Sequence, residues 1–161
     1  MTNQKYQNLQ RHNMSLTYES DEQKWAIIKM AIEQNMPANK IFGFEILEIK
    51  EGYAKIHVPF KEEFIGDFIH GLWHGGIIAS IADSAAGIAA STVLTDARDK
   101  LNTIDLRIDY LSGAIKEDLY AEAELLKVGK RIIKADVKLY QESKGTVAIA
   151  RGAFSLLKFE E

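Results

Sequence analysis

One apolar stretch constrains this chain more than any other feature of its sequence. The twenty residues 75–94 carry a single charge, on Asp83 near the centre of the stretch. A segment of that length could cross a membrane, but a charge at the centre of a span costs roughly 2.5–3.5 kcal/mol. Serines and alanines dilute the apolar character further. The sequence therefore predicts a helix buried in protein, and it predicts no membrane span.

A helix that is apolar on nearly every side has to be covered on most sides. Strands are predicted at 44–49 and 54–60, and a loop at 61–74. Alternating apolar and polar residues after the helix predict four more strands, at 103–110, 120–125, 133–139 and 147–159. Short glycine-containing turns between the last strands indicate an antiparallel meander. The expected fold class is therefore α+β, with one antiparallel sheet wrapped around a long central helix.

An extra helix is predicted before the sheet. Ser20 and Gln23 have the spacing of a capping box, and apolar residues then recur at helical spacing until Pro37. Residues 1–20 are polar and contain no apolar run, so they are expected to form a flexible extension rather than a secretory signal. Residues 21–161 are expected to form a single domain.

Composition excludes several classes of protein. Apolar residues make up 47% of the 161 residues and charged residues 27%, which is enough to form a core and excludes wholesale disorder. A net charge of −3 opposes a nucleic-acid binder that works by broad phosphate neutralisation. The chain has no cysteine, which excludes disulfides, thiol nucleophiles and Cys-ligated metals. This composition is compatible with a cytoplasmic location, which we predict.

Candidate functional residues lie at the start and the centre of the apolar helix. The sequence His74-Gly75-Gly76 leaves backbone N–H groups approachable at a helix N-terminus, where an anion or a developing oxyanion could bind. An unpaired buried carboxylate is costly, so Asp83 needs either a structural partner such as Arg107 or a chemical role. His74 is interpreted chiefly as a hydrogen-bonding residue at the helix entrance, with a catalytic role as the alternative.

The spacing of these groups bears on mechanism. Gly75 and Asp83 are eight residues apart, which corresponds to roughly 12 Å along a helix. One small reacting group cannot touch both residues within one chain. If both residues act on one substrate, the site must be shared between two subunits whose helices lie antiparallel.

The motifs also resemble those of a known family. His74-Gly75-Gly76 followed by Asp83, together with the segment TIDLRIDYL at 103–111, resembles the PaaI-type branch of the hotdog-fold acyl-CoA thioesterases. The similarity covers roughly residues 37–157. It implies hydrolysis of an acyl-CoA to a free acid and CoA, with no metal or redox cofactor. It also implies homodimers, often paired into homotetramers, with active sites at the dimer interface.

Site residues follow from this resemblance position by position. Asp83 matches the catalytic carboxylate, acting as a general base on water or as a nucleophile, and Gly75 matches the glycine whose N–H polarises the thioester carbonyl. Thr103 falls where some members place a hydroxyl that helps to position the water. Many members have an asparagine in the preceding loop, where this chain has Asp67 and Phe68. Asp67 is the nearer substitute, but a carboxylate lacks the amide donor.

Further residues are candidates for substrate binding. Gly76 belongs to the helix start, while Arg107, Lys130 and Arg131 could hold the CoA phosphates or be ordinary surface charges. His70 and His74 are four residues apart, but the intervening Gly71 places them in a loop, so no zinc site is predicted.

Two other functions remain open at this stage. The missing asparagine favours a non-catalytic acyl-CoA-binding or lipid-binding protein of the same fold. A dehydratase or hydratase is disfavoured because the helix and its loop contain no Asp–His catalytic pair.

Overall fold

A six-stranded antiparallel sheet and one long helix form the centre of the structure. The computed structural model describes residues 20–96 and 98–159, so the expected extension 1–20 lies outside the described residues except for Ser20. Within these ranges the α-helices are α1 (Asp21–Met30), α2 (Asn39–Phe42) and α3 (Gly75–Ser91). The strands are β1 (Glu45–Lys50), β2 (Tyr53–Val58), β3 (Ile65–Asp67), β4 (Leu72–Trp73), β5 (Lys100–Tyr110), β6 (Leu119–Val128), β7 (Ile132–Gln141) and β8 (Gly145–Leu157).

The central helix α3 lies against the sheet along most of its length. It contacts β2, β5, β6, β7 and β8, and its sheet-facing side is rich in alanine. Ala82, Ala85, Ala86 and Ala89 are fully buried, which lets the helix backbone approach the strands closely. The predicted burial of this helix is confirmed. None of the described helices combines the length and the apolarity that a membrane crossing needs.

The first helix begins as the sequence predicted. The Ser20 hydroxyl oxygen accepts a hydrogen bond from the Gln23 backbone N–H at 3.2 Å, so Ser20 caps α1. The helix continues as a π-helical segment, Ala31–Asn35, and the chain turns extended at Met36, next to Pro37.

The order of the strands differs from a simple meander. The sheet order is β1-β2-β6-β7-β8-β5, so neighbours in the sheet are consecutive in the chain within β1-β2 and within β6-β7-β8, but not at β2-β6 or β8-β5. Strand β6 pairs with β2, and β5 pairs with β8 at the edge of the sheet. A short turn predicts pairing only between the two strands that it joins. Because an eight-residue connection separates β5 from β6, β5 is not bound to pair with β6, and the predicted meander holds only for β6, β7 and β8.

The predicted loop at 61–74 contains regular structure. A 3₁₀ turn, Glu62–Phe64, leads into a small hairpin formed by β3 and β4. The prediction of an irregular loop was therefore wrong for most of this segment, because strands of two or three residues are too short to show an alternating pattern. The hairpin brings the chain directly to the start of α3.

The long connection between β5 and β6 is fixed by a buried glutamine. Gln141 is fully buried, and its amide nitrogen donates to the carbonyl oxygens of Ile115 and Glu117 at 3.0 and 2.8 Å. Its amide oxygen accepts from the Ile115 N–H at 2.8 Å. One side chain therefore satisfies three backbone groups of the connection.

We expect Gln141→Leu to lower the free energy of unfolding by about 1–3 kcal/mol, because it removes the partners that Gln141 gives to the partly buried Ile115 N–H and Glu117 carbonyl. Urea denaturation at a fixed protein concentration measures the loss. The control is Gln34→Leu at an exposed position, where a change within about 0.5 kcal/mol is expected. An equal effect of both substitutions would contradict the role assigned to Gln141.

Candidate functional site

The backbone at the start of α3 is held by His74. The His74 N–H donates to the Phe64 carbonyl at 2.7 Å, which ties the helix start to the preceding 3₁₀ turn. The His74 ring nitrogen Nδ1 accepts from the Gly76 N–H at 2.9 Å, and the His74 carbonyl accepts from the N–H groups of Ile77 and Ile78. His74 is thus the N-cap of α3 through both its side chain and its backbone.

These bonds leave one donor of the first helical turn unused. The N–H groups of Gly76, Ile77 and Ile78 are paired, whereas the Gly75 N–H makes no hydrogen bond within residues 20–96 and 98–159. An unpaired N–H at a helix N-terminus carries the partial positive charge of the helix dipole. Gly75 therefore offers a single, well-defined donor for a negatively charged or polarised oxygen.

Tyr110, the last residue of β5, packs against this glycine. Its hydroxyl donates to the Gly75 carbonyl at 2.6 Å. A Cβ atom at Gly75 would lie only 3.3–3.4 Å from atoms of the Tyr110 ring and hydroxyl, which is tighter than ordinary side-chain contact. A glycine at position 75 therefore lets the tyrosine lie directly on the backbone.

Asp83 lies two turns further along the same helix, on its half-exposed side. The Thr103 hydroxyl donates to Asp83 Oδ1 at 2.9 Å. No hydrogen bond to Asp83 Oδ2 is present in the described part of the chain, so this oxygen can accept a proton from another group. Arg107 pairs instead with Asp109 at 3.2 Å, so the alternative in which Arg107 neutralises Asp83 is wrong.

A β-bulge in β5 gives Thr103 its orientation. Thr103 pairs with Phe154 of β8 and Asp105 pairs with Ala153, which leaves Ile104 as the extra residue. The sequence predicted an unbroken alternation with Thr103 and Asp105 on one face. The extra residue instead places Thr103 on the helix-facing side of the sheet, where it reaches Asp83.

The loop between β3 and β4 is organised by Asp67. Its Oδ1 accepts from the backbone N–H groups of Ile69 and His70, both at 3.0 Å, and its Oδ2 lies 2.8 Å from Nδ1 of the His70 ring. Hydrogen bonds from the His70 backbone and ring hold the pKa of the Asp67 carboxyl below its usual value. Phe68, beside it, is 86% exposed.

The remaining predicted binding residues make no hydrogen bond or ion pair with Asp83 or Gly75 within the described ranges. Arg107 is exposed beside Asp109, and Lys130 and Arg131 are exposed in the turn between β6 and β7. No described cluster of three or more His, Cys, Asp and Glu side chains has an arrangement suited to a metal ion. The structure thus brings together two pairs, Asp83 with Thr103 and Gly75 with its His74–Gly76 cap.

Comparison with known proteins identifies the family of this chain. A family model described as "Thioesterase superfamily" matches residues 70–148. A putative esterase of Saccharolobus solfataricus is 32% identical over 134 residues, which cover 81% of this chain and 93% of that protein. The chain belongs to the thioesterase superfamily. The medium/long-chain acyl-CoA thioesterase YigI of Escherichia coli is 28% identical over 145 residues, covering 83% of this chain and 94% of that protein.

Solved structures of this superfamily share the fold. The E. coli PaaI protein superimposes with a TM-score of 0.75 at 25% identity, covering 86% of this chain and 97% of that chain. A thioesterase family protein from Silicibacter pomeroyi superimposes with a TM-score of 0.77 at 21% identity, covering 84% and 99%. The predicted hotdog fold, the PaaI-like family and the class of thioester hydrolase are therefore confirmed.

Sequence analysis of this thioesterase missed Tyr110 as a site residue. The alternation along β5 marked Tyr110 only as one more apolar position. The signal that could have identified it is the hydroxyl on a residue at the end of a helix-facing strand, where a polar group needs a partner.

We expect Asp67→Ala to release the β3–β4 loop, because it removes the acceptor of the Ile69 and His70 N–H groups. Hydrogen exchange at these two amides should become several-fold faster, while Asp67→Asn, which keeps Oδ1, serves as the matched control. Because the pKa of the Asp67 carboxyl is lowered in the folded protein, its carboxylate should keep the β3–β4 loop ordered at neutral pH. This order should be lost as the pH falls through the lowered pKa. Unchanged exchange in Asp67→Ala would contradict this assignment.

Proposed function

We propose that this thioesterase hydrolyses acyl-CoA to a free acid and CoA at a site that two subunits share. The observation that carries the proposal is that two groups on α3, the Gly75 N–H donor and the Asp83 Oδ2 acceptor, have no hydrogen-bond partner among the described residues. Helix geometry separates the two residues by roughly 12 Å. A donor from one subunit and an acceptor from its partner would meet on one thioester.

The proposed chemistry assigns one role to each group. The Gly75 N–H donates to the thioester carbonyl oxygen and stabilises the negative charge that develops there. Asp83 removes a proton from water as the water oxygen bonds to the carbonyl carbon. The carbon–sulfur bond then breaks, and the proton held by Asp83 passes to the leaving sulfur, which releases the free acid and CoA and restores the carboxylate. Thr103 holds Asp83 Oδ1, so Oδ2 is directed toward the water.

Of the two residues that the family resemblance offers for positioning the water, Asp67 and Thr103, we assign this role to Thr103. Asp67 already accepts two backbone N–H bonds and contacts His70, so its oxygens serve its own loop. The neighbouring Phe68 has no polar side-chain atom. Thr103, whose hydroxyl oxygen can still accept a hydrogen bond, is therefore the residue we assign to help hold the water.

The surface around the site supports a homodimer, which can pair further into a homotetramer. Strand β5 is an edge strand of 11 residues, so one row of its N–H and C=O groups has no strand partner within the described part of the chain. Ile104 and Leu111 are more than half exposed along or beside this edge. The half-exposed side of α3, which carries Asp83, is next to the same strand. A second copy could pair with this edge and cover both surfaces.

The substrate class rests on the relatives and on the chemistry of the surface. The E. coli relative is named a medium/long-chain acyl-CoA thioesterase, which supports an acyl-CoA substrate here. We assign Arg107, Lys130 and Arg131 to the phosphates of CoA, and Gly76 to the backbone that faces the thioester. A cytoplasmic location also remains a prediction of the sequence.

We expect Asp83→Asn to lower kcat for acyl-CoA hydrolysis by about 10²–10⁴-fold, because the amide cannot act as a general base. Release of free thiol from a panel of acyl-CoA substrates measures the rate. The matched control is Glu45→Gln on β1, at the opposite edge of the sheet, which should keep the wild-type rate. A folded Asp83→Asn protein with more than half the wild-type kcat would remove Asp83 from the mechanism.

Gly75→Pro tests the oxyanion donor without dismantling the helix. Proline is tolerated at the first helical position, and His74 has the extended backbone (ψ 125°) that a residue before proline adopts. The substitution removes the unpaired N–H, so kcat should fall by about 10²–10³-fold. Gly75→Ala adds the same contact with Tyr110 but keeps the N–H, and it should retain most of the activity that Gly75→Pro loses.

Mixing the two inactive variants tests the shared site. A hybrid dimer of Asp83→Asn and Gly75→Pro subunits contains one site with both groups intact, so activity should return on mixing. Sedimentation measures the oligomeric state in parallel. An active monomer would contradict the dimer requirement.

A further inference from the structure

We propose that Tyr110 is a positioning residue, which holds the first turn of α3 so that the Gly75 N–H stays directed at the thioester oxygen. This inference rests on the proposed function, because it assigns Tyr110 a role at the same oxyanion donor. The family resemblance assigned no role to this side chain.

The first turn of α3 is intrinsically unstable. It begins with two glycines, and glycine in a helix is less stable than alanine because it loses more backbone freedom on ordering. A frayed first turn would let the Gly75 N–H rotate away from any fixed direction. Catalysis by a backbone donor depends on a position that is set before the substrate arrives, so something outside the helix has to hold this turn.

The structure fixes the peptide unit between the two glycines at both of its ends. The Gly75 carbonyl accepts from the Tyr110 hydroxyl at 2.6 Å, and the Gly76 N–H of the same peptide donates to His74 Nδ1 at 2.9 Å. The plane of this peptide cannot rotate without breaking one of the two bonds. It is joined at the Gly75 Cα to the preceding peptide, which carries the donor N–H.

The preceding peptide is fixed through its carbonyl. The His74 carbonyl accepts from Ile77 and Ile78 at 3.0 and 3.2 Å, while the N–H at the other end of the unit, on Gly75, has no partner in the described ranges. Both peptide units that flank the Gly75 Cα are therefore held, and the one unpaired atom between them is the proposed catalytic donor.

Tyr110 is itself attached to a rigid part of the molecule. It pairs with Ala148 in the β5–β8 ladder, and the next residue, Leu111, donates its N–H to the Val147 carbonyl at 2.9 Å. The ring also lies on Gly75, where a Cβ atom would be 3.3 Å away. The hydroxyl thus fixes the helix start relative to the sheet, and the ring blocks movement of the glycine toward β5.

The experiment compares Tyr110→Phe with the wild-type enzyme. This substitution keeps the ring and removes only the hydroxyl. We expect kcat for acyl-CoA hydrolysis to fall about tenfold with KM within twofold of wild type, since the donor is misplaced rather than removed. Exchange of the Gly76 amide hydrogen should also become faster. Tyr140→Phe is the matched control, because its hydroxyl donates to Glu122 at 2.9 Å elsewhere on the sheet.

The outcomes separate this inference from the proposed function. A lower kcat with unchanged KM, seen in Tyr110→Phe and not in Tyr140→Phe, supports the positioning role. Wild-type kcat in Tyr110→Phe overturns it while hydrolysis itself stands. A change confined to KM also overturns it, because Tyr110 would then act in substrate binding. Absence of hydrolysis in the wild-type protein overturns the proposed function, and with it any catalytic role for Tyr110.

Discussion

Burial of the helix α3 is the constraint on which the rest of this structure depends. Its apolar side packs against five of the six strands, and its alanines allow close approach to the sheet. A sheet can cover only part of a helix, so a half-exposed side remains beside the edge strand β5. Asp83 lies on that side, where its carboxylate can be solvated and can bond Thr103. Within a single subunit, the cost of fully burying an unpaired charge is therefore avoided.

The local geometry of the site depends on departures from regular structure. An unbroken β5 would place Thr103 and Asp105 on the same face, whereas the bulge at Ile104 places them on opposite faces. The start of α3 is also unusual, since it consists of two glycines that His74 caps and Tyr110 contacts. Both features orient one polar group toward the space beside the helix. Irregularity of this kind is common next to active sites because it redirects single side chains or exposes single backbone groups.

Much of the fold followed from short-range patterns in the sequence. The cap at Ser20, the buried helix and the strands β6 to β8 were predicted because capping and periodicity are local properties. The position of β5 beside β8 was not predicted, because the pattern of one strand does not specify which edge it joins. The bulge at Ile104 was missed for a related reason, since an extra residue changes the pairing with β8 while the alternation of residue types continues unbroken.

The residues of the candidate site were likewise predicted only where the signal is local along the chain. His74-Gly75-Gly76 and Asp83 were identified from the sequence because helix starts and lone charges are recognisable along one chain. The sequence also predicted that His74 forms a hydrogen bond at the helix entrance, although it did not identify the Gly76 N–H as the partner. Tyr110 was missed, because its contact with Gly75 joins residues 35 positions apart and its hydroxyl at the end of a helix-facing strand did not specify the partner. The attachment of Asp67 to its own loop also required the three-dimensional structure.

A complete site needs the Gly75 N–H of one subunit and the Asp83 Oδ2 of another, and this requirement constrains the symmetry of the dimer. In one subunit the Gly75 N–H and the Asp83 Oδ2 are too far apart to act on the same carbonyl, since about 12 Å of helix separates them. A two-fold axis between antiparallel helices would place the donor of each subunit near the acceptor of the other. The same operation creates a second, identical pair, because an isologous interface repeats every contact. A dimer formed through the open edge of β5 would therefore contain two complete sites, although each subunit supplies only one half of each.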